Sequence, residues 1–357
     1  MDAREELRRA YEGRAEGIVA DGLPLVGLFG DGCPEALVSG AGGQPVEVKA
    51  APLMDGPEVA SVSAVTEPFM DGFTRRFLHR FASGAFDEYA AVLFARDDVA
   101  ALAAYQYALE MQRQGMVRSG PRLILWNLLH GTGTALHAFN LSEAERALRE
   151  LREALGTVAD KGRLARAMAE EQARAQACAE LEAMSLTAGE TFVFRNAGRW
   201  LSAARHAELL TRITPTEPPT TKASAALIGT AADTSALPAL CAELGLAVTD
   251  LTPYGSLWPA CHIGPSDMPG LLNAVAEQPL HIRTNPPALF GTALDAALAG
   301  HDLVIAAVDR NDDSFGWELP RLARSLPMPL VNLGFRPFRP GAEWRATARQ
   351  RIEEALP

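Results

Sequence analysis

Lysine is scarce in this chain: Lys49, Lys161 and Lys222 are the only ones in 357 residues, while arginine is plentiful. Acidic residues outnumber basic ones, 44 to 33, for a formal charge of −11. That balance leaves no broad cationic surface, which argues against nucleic acid and anionic membrane as partners. Cysteine is equally sparse. Cys33, Cys178, Cys241 and Cys261 form no CxxC pair, and four scattered thiols in an acidic chain make no disulfide framework. Cys178 shares helical spacing with Ala175 and Leu181, and Cys241 sits in LPALCAELG, so both read as small core hydrophobes. Cys33 and Cys261 fall in loops. No apolar run approaches the ~20 residues that cross a bilayer. The opening MDAREELRRAYEGRAEG reads as a charged amphipathic helix without an apolar signal core. These absences predict a cytoplasmic protein. The histidines show no HxH or HExxH spacing, and there is no G-x-S-x-G elbow, P-loop or dinucleotide fingerprint.

What is present is an ordinary globular composition, 48% apolar and 22% charged, on a chain long enough for two cores. The stretch from Pro24 to Lys49 is the most informative. It reads as a buried strand (Leu25–Phe29), a tight loop (Gly30-Asp31-Gly32-Cys33) and a helix opened by Pro34-Glu35. Gly40–Gly43 then stops that helix, and a strand follows at Val46–Val48. Further strands are expected at Ala90–Phe94 and Leu123–Trp126, separated by helices near Met70–Phe81 and Val99–Gln114. Strands alternating with helices of that length predict βαβ units and a parallel sheet.

From about residue 131 the pattern turns almost wholly helical. Ser142-Glu143-Ala144-Glu145 has the form of a capping box, with Leu148, Leu151 and Leu155 as the apolar stripe behind it. A second long helix runs to about Met184, and shorter segments continue to Leu210. ITPTEPPTTK (Ile213–Lys222) reads as a linker. Beyond it, strands are expected at Ala223–Gly229, near Ala247–Leu251, at Leu303–Val308 and at Leu330–Leu333. Helices are expected at Thr234–Leu244, Trp317–Ser325 and Ala342–Leu356. The fold class is therefore α/β, with two Rossmann-like parallel-sheet domains and a helical segment between them. The divisions fall at 1–130, 131–215 and 223–357, with a repeat of architecture and none of sequence.

In parallel sheets the loops at the carboxyl ends of strands carry ligands. Four stand out: Gly30–Cys33, Glu67-Pro68-Phe69, Arg96-Asp97-Asp98 and Asp309–Ser314. Glu67 and Arg96 are opposite charges in apolar surroundings and are expected to pair. Arg96-Asp97-Asp98 reads either as a strand end with an N-cap or as a pocket floor for an anion. Gly131-Thr132-Gly133-Thr134 and Gly229-Thr230-Ala231-Ala232-Asp233 are small-residue turns that could take a phosphate on backbone amides, with ordinary turn duty the plainer expectation.

The order of these segments resembles the 2-hydroxyacyl-CoA dehydratase / benzoyl-CoA reductase subunit family. There, a hydrophobic-Gly-aromatic-aromatic run leads to Cys, two small or polar residues and another, then Pro-Glu-Glu-Leu. Here Val26-Gly27-Leu28-Phe29 leads to Gly30-Asp31-Gly32-Cys33 and Pro34-Glu35-Ala36-Leu37. The family's Ala-Ala-Gly-Ala-x-Pro-Val is similar to Gly40-Ala41-Gly42-Gly43-Gln44-Pro45-Val46. Its later Cys-Pro-Phe is similar to Glu67-Pro68-Phe69, and its Thr-Thr-Cys-Asp to Phe94-Ala95-Arg96-Asp97. Its Phe-Cys-Asp-Pro loop is similar to Asn311-Asp312-Asp313-Ser314, and its closing Thr-Arg-Ile-Glu-Ala-Phe to Arg349–Ala355.

The resemblance implies a 2-hydroxyacyl-CoA dehydratase-like or aryl-CoA reductase-like subunit whose cluster-ligand positions hold Gly30, Glu67 and Arg96. Such a chain is expected to carry no metal or cofactor of its own. A [4Fe-4S] cluster belongs only to a partner, which is a homologous cluster-bearing subunit or else this chain forms a self-dimer. Glu67, Arg96, Asp97 and Asp312 are the implied catalytic groups, and Gly30, Asp31, Gly32 and Cys33 the implied substrate-binding ones. The ligand is an acyl-CoA, and if the assembly is active it is a lyase or reductase acting on CoA thioesters. The alternative is a stand-alone non-redox enzyme or a binding protein for acyl-CoA or a related carboxylic acid.

Overall fold

A computed structural model describes residues 2–14, 22–54, 56, 58–96, 99–117, 119–131, 133–160, 162–214, 220–259, 264–276, 278, 280–282, 284–312 and 314–356. In chain order the elements begin with α1 (Ala3–Gly13), β1 (Leu25–Phe29), α2 (Glu35–Ala41), β2 (Gln44–Glu47), α3 (Ala60–Ser63), α4 (Gly72–Ala82), β3 (Ala91–Ala95), α5 (Val99–Arg113) and β4 (Arg122–Trp126). The helices α6 (Thr134–Leu155), α7 (Arg163–Glu182), α8 (Ala188–Ala197) and α9 (Ala203–Thr211) follow. The chain continues with β5 (Ala223–Gly229), α10 (Ala236–Glu243), β6 (Leu246–Asp250), α11 (Met268–Ala276), α12 (Pro287–Leu298), β7 (Leu303–Val308), α13 (Phe315–Ser325), β8 (Leu330–Phe335) and α14 (Ala342–Glu353).

The eight strands form two sheets of four, all parallel, in the orders β2-β1-β3-β4 and β6-β5-β7-β8. Both sheets have the same order, so the architectural repeat expected from the alternation of strands and helices is present. Each order reverses direction once, between β1 and β3 and between β5 and β7. In doubly wound sheets the crevice for ligands opens at that reversal, outside the carboxyl ends of the strands. The central strands are continuous apolar runs because helices cover both their faces: β3 and β7 are buried along their whole length.

The chain divides into two compact units, one of residues 1–176, 197–209 and 260–277 and the other of residues 177–196, 210–259 and 278–357. The middle helices, expected as a segment of their own, are thus shared out. The apolar stripe of α6 explains its allegiance: Ala144, Ala147 and Leu151 join Val26, Leu28, Ile124 and Trp126 in one buried cluster. Leu271 and Leu272 of α11 join the same cluster, which returns that part of the later chain to the first unit. Of the expected linker, residues 215–219 lie outside the described residues.

On the opposite face of the first sheet, Phe29 and Phe94 meet Phe77 of α4 edge-on at 5.0 and 5.5 Å, and Phe86 stacks on Phe77 at 5.1 Å. Two ion pairs of low exposure tie later helical segments to the start of α2 and to the end of β2. Arg174 Nη1 donates to Glu35 Oε2 (2.7 Å), and Arg199 Nη1 to Glu47 Oε2 (3.0 Å). In the second unit the sheet is packed on both faces, by α10 and α14 on one side and by α12 and α13 on the other.

Two expectations about elements are corrected. The helix predicted to start at the Ser142 capping box begins at Thr134, so Ser142 and Glu145 lie exposed on a continuing helix. Nothing between Thr134 and Ser142 breaks the helical period. Asn140 also fixes these early turns, accepting from Leu129 N (2.9 Å) and donating to Leu129 O (2.8 Å). Helices α11 and α12 fill the stretch between β6 and β7, where no element was expected. Among the described residues no helix is long and apolar enough to cross a membrane.

Candidate functional site

At the carboxyl edge of the first sheet, Gly30 leaves β1 with φ +117°. A Cβ built there would lie 2.8 Å from the Cβ of Ala95 and 3.4 Å from that of Ala101. Both contacts are buried side chains, on β3 and α5. The position therefore has neither a donor atom nor room for one. Asp31 reaches Lys49 Nζ at 3.6 Å, and Lys49, 5% exposed, also lies over the Phe73 ring. Cys33 is buried with the core. Its Sγ faces the carbonyl oxygens of Leu93 (3.5 Å) and Phe29 (3.8 Å), so the thiol is turned towards strand ends inside the unit. The Gly30–Cys33 loop is thus closed on its own unit by packing.

Glu67 and Arg96 are both exposed and are not partners, contrary to the pairing expected from their charges. Arg96 Nη1 donates to Asn127 Oδ1 (3.0 Å) beyond β4. Glu67 hydrogen-bonds the side chain of Tyr107; burial first, and then that carboxylate, pushes the phenol upward. The physical reason is position. Glu67 follows α3 in the long connection from β2 to α4, not a strand end, so it does not face Arg96. Asp97 lies outside the described residues, as do Asp98, Asp313 and Cys261.

Asp312 belongs to the second unit, where its Oδ1 accepts from the backbone N–H of Ser314 (3.0 Å) and Phe315 (2.8 Å). That is a cap on the amino terminus of α13. Asp312→Ala is accordingly expected to lower stability by about 1 kcal/mol, read as a shift in the urea midpoint. An unchanged midpoint would remove the capping role.

The second unit also holds the crevice that sequence reasoning did not assemble. It lies at the carboxyl edge around β5 and β6 and is lined by Thr230, Thr234, Asp250, Thr252, Arg336 and apolar neighbours such as Phe192 and Leu237. Its cavity volume is about 20 Å³, no more than a water or two can fill. Gly229 ends β5 with φ +134°, pressed against the carbonyl of Ala307 on β7. Thr230 Oγ1 accepts from Asp309 N (2.7 Å), which joins the loops after β5 and β7. Arg336, just past β8, is 5% exposed and donates through Nη2 to Ala231 O (2.7 Å). Burial lowers its pKa, Asp233 and Asp309 raise it, and Arg339 lowers it again. Asp233 is itself buried and held by Arg339 Nη1 at 2.5 Å.

Asp250 closes β6. The residue as a whole is half-buried, while its carboxyl is enclosed: a Cβ added at Gly255 would come within 2.5 Å of Oδ1. Thr252 N donates to that oxygen (2.9 Å). Burial raises the carboxyl pKa; Thr252 and Arg195 oppose the shift, and Glu182 adds to it. A carboxyl that holds its proton more tightly when folded loses stability as pH rises from the unfolded pKa, near 3.9, through the folded value. Asp250→Asn removes that dependence. The variant is expected to be at least as stable as the parent at pH 7 and to melt with a flatter pH profile above about pH 4. Thermal melts from pH 4 to 8 check this, and a steeper decline in the variant contradicts it.

Arg336 and Asp250 were legible in principle. Asp250 falls within the strand predicted near Ala247–Leu251, and Arg336 lies just past the one predicted at Leu330–Leu333. Burial was the part not legible, since the sequence gives Arg336 no mark that separates it from Arg339 three residues on. The two cysteines expected in cores are there: Cys178 and Cys241 are buried, and burial pushes the Cys241 thiol up to about 12. Among the described residues no group of three or more His, Cys, Asp or Glu is placed to hold a metal ion.

The fold defines a doubly wound α/β protein in two units. No family model matches the chain, and no curated protein matches it.

Proposed function

We propose that this chain is a subunit of the 2-hydroxyacyl-CoA dehydratase / benzoyl-CoA reductase type that carries no iron–sulfur cluster of its own. Its contribution is an acyl-CoA-binding surface or a face for a cluster-bearing subunit. The observation that carries this reading is Gly30. Where the resemblance puts a thiolate, φ is +117° and the Cβ position is taken by Ala95. Iron–sulfur clusters are held by thiolates, with histidine replacing some in certain centres. Gly30 offers no donor, a protonated guanidinium such as Arg96 cannot ligate iron, and the Cys33 sulfur is turned to backbone carbonyls. The residues present do not fit a cubane cluster. The stand-alone polar enzyme gains nothing from the geometry: Glu67 and Arg96 bond elsewhere, and Asp312 caps a helix.

The test is anaerobic purification of the chain alone, followed by iron and acid-labile sulfide assays and calorimetry with short-chain acyl-CoAs. The isolated chain is expected to contain neither iron nor sulfide and to bind an acyl-CoA, alone or with a cysteine-bearing homologous subunit. Stoichiometric iron and sulfide in the isolated chain overturn the proposal, as does the absence of acyl-CoA binding in both settings.

A further inference from the structure

The connection from β2 to α4 runs from Val48 to Asp71, and the short α3 is its one regular element among the described residues. Loops longer than about 12–15 residues are uncommon in compact domains, and the ordered ones usually serve as lids or binding loops. A four-residue helix does not hold itself, because nucleating a turn costs more than its few hydrogen bonds return. Val62 is the residue that α3 buries, and its N-cap residue, Val59, brings no side-chain cap.

Two side chains of α4 hold the segment instead. The Val59 N–H donates to Nδ1 of His79 (2.9 Å). One turn earlier on the same helix, Arg75 Nη2 donates to the carbonyl oxygens of Glu67 (3.3 Å) and Pro68 (3.1 Å). Residues four apart share a helix face, so His79 and Arg75 bracket the chain from Val59 to Pro68. The two ends differ in chemistry. An imidazole nitrogen accepts a hydrogen bond only when it carries no proton, so this ring is neutral with its hydrogen on Nε2. Protonation puts an N–H on both ring nitrogens, and donor then faces donor at Val59. The Arg75 guanidinium keeps its charge throughout the range in which imidazole titrates.

We propose that His79 is an acid-sensitive latch: its neutral ring holds α3 against α4, and protonation frees the Val59 end while Arg75 keeps the Glu67–Pro68 end in place. The result is a hinged opening that uncovers Val62 and the surface on which it rests. This inference concerns the first unit and does not depend on the resemblance to acyl-CoA enzymes.

The groups around the ring set the direction. Burial lowers the His79 pKa, Glu58 ahead of α3 raises it, and Arg76 on α4 lowers it again. Arg80 is turned to the Val48 carbonyl (3.2 Å). α3 has no titratable group. Those of α5 are Tyr105, Tyr107, Glu110 and Arg113, and none of them acts on the ring. The sheet beneath α4 presents Phe29 and Phe94. A ring whose pKa is lowered in the closed state supports closure above its ordinary value, about 6.5. That support is lost as pH falls through the lowered value.

Nuclear magnetic resonance on the full chain decides it. At pH 7.5 the His79 ring is expected as the Nε2–H tautomer. Between pH 7.5 and 5, hydrogen-exchange protection of the Val59 amide, corrected for intrinsic rate, should fall several-fold. The ceiling is about thirtyfold, the ratio of charged to neutral ring for an ordinary imidazole at pH 5. Protection at Val92, inside β3, should hold. Arg76→Gln should move the opening midpoint to higher pH and Glu58→Gln to lower pH. His79→Gln, whose amide oxygen accepts at any pH, should leave Val59 protection flat over the range. If His79→Gln fails to fold, the two charge variants still decide. Val59 protection that does not change with pH overturns the latch, as does a proton on Nδ1 at pH 7.5. Equal loss of protection at Val59 and Val92 also overturns it, and so does a midpoint that neither charge variant moves.

Discussion

Gly30→Cys is expected to lower folding stability by roughly 2–6 kcal/mol and to leave the protein without iron. Two effects combine. Any residue with a Cβ is strained at φ +117°, by about 1–3 kcal/mol. The new carbon would also sit 2.8 Å from the Cβ of Ala95, which is fully buried on β3, and overpacking of this kind costs about 1–3 kcal/mol. Gly30→Ala should carry most of the same loss, because both terms belong to the Cβ and not to the sulfur. Ala95→Gly removes the atom in the way, so the pair Gly30→Ala, Ala95→Gly should recover part of the packing term and none of the backbone term. Urea midpoints at constant slope measure all three. A Gly30→Cys protein as stable as the parent would mean that the loop can move, and the account of a closed position would fall with it.

The central strands were readable from sequence because burial on both faces writes itself as a continuous apolar run. Leu25–Phe29 and Leu303–Val308 appear as strands at the bounds first read. Alternation with helices then gave the parallel sheets. Helix α11 was missed for the opposite reason. Its Leu271-Leu272 pair follows a proline-rich stretch, and its place is set by a core built mainly from the first half of the chain. Local pattern tells which face of an element is apolar and says nothing of which sheet that face finds. The site residues divide the same way. Asp312, a catalytic group by resemblance alone, instead accepts from the backbone N–H of Ser314 and Phe315, a local bond of the kind a short Asp makes ahead of a helix. The supposed partnership of Glu67 and Arg96 was a long-range claim made from charge alone, and Asn127 and Tyr107 took those roles instead. Arg336 was invisible as a buried group because its partner, the Ala231 carbonyl, is backbone and is brought near by the loop after β5.

Gly229→Ala is expected to be more damaging still, at about 4 kcal/mol or more. The added carbon would lie 1.9 Å from the carbonyl oxygen of Ala307, far inside contact distance, with φ at +134°. Gly229 and Ala307 are register partners in the pairing of β5 with β7, the two central strands of their sheet. The same carbonyl accepts from Thr230 N (3.3 Å), and Thr230 Oγ1 in turn holds Asp309 N. Relief therefore requires parting the strands at their carboxyl edge, where the loops that shape the crevice begin. Here the contrast with Gly30 is diagnostic. At Gly30 the obstacle is a side chain, and trimming Ala95 offers relief. At Gly229 the obstacle is a backbone oxygen, so Ala307→Gly should rescue nothing. Thermal melts of the single and double variants measure the difference. Rescue by Ala307→Gly would show that the crowding arises from the alanine methyl and not from the carbonyl, and the close approach of the two strands would lose its place as the constraint that fixes this edge.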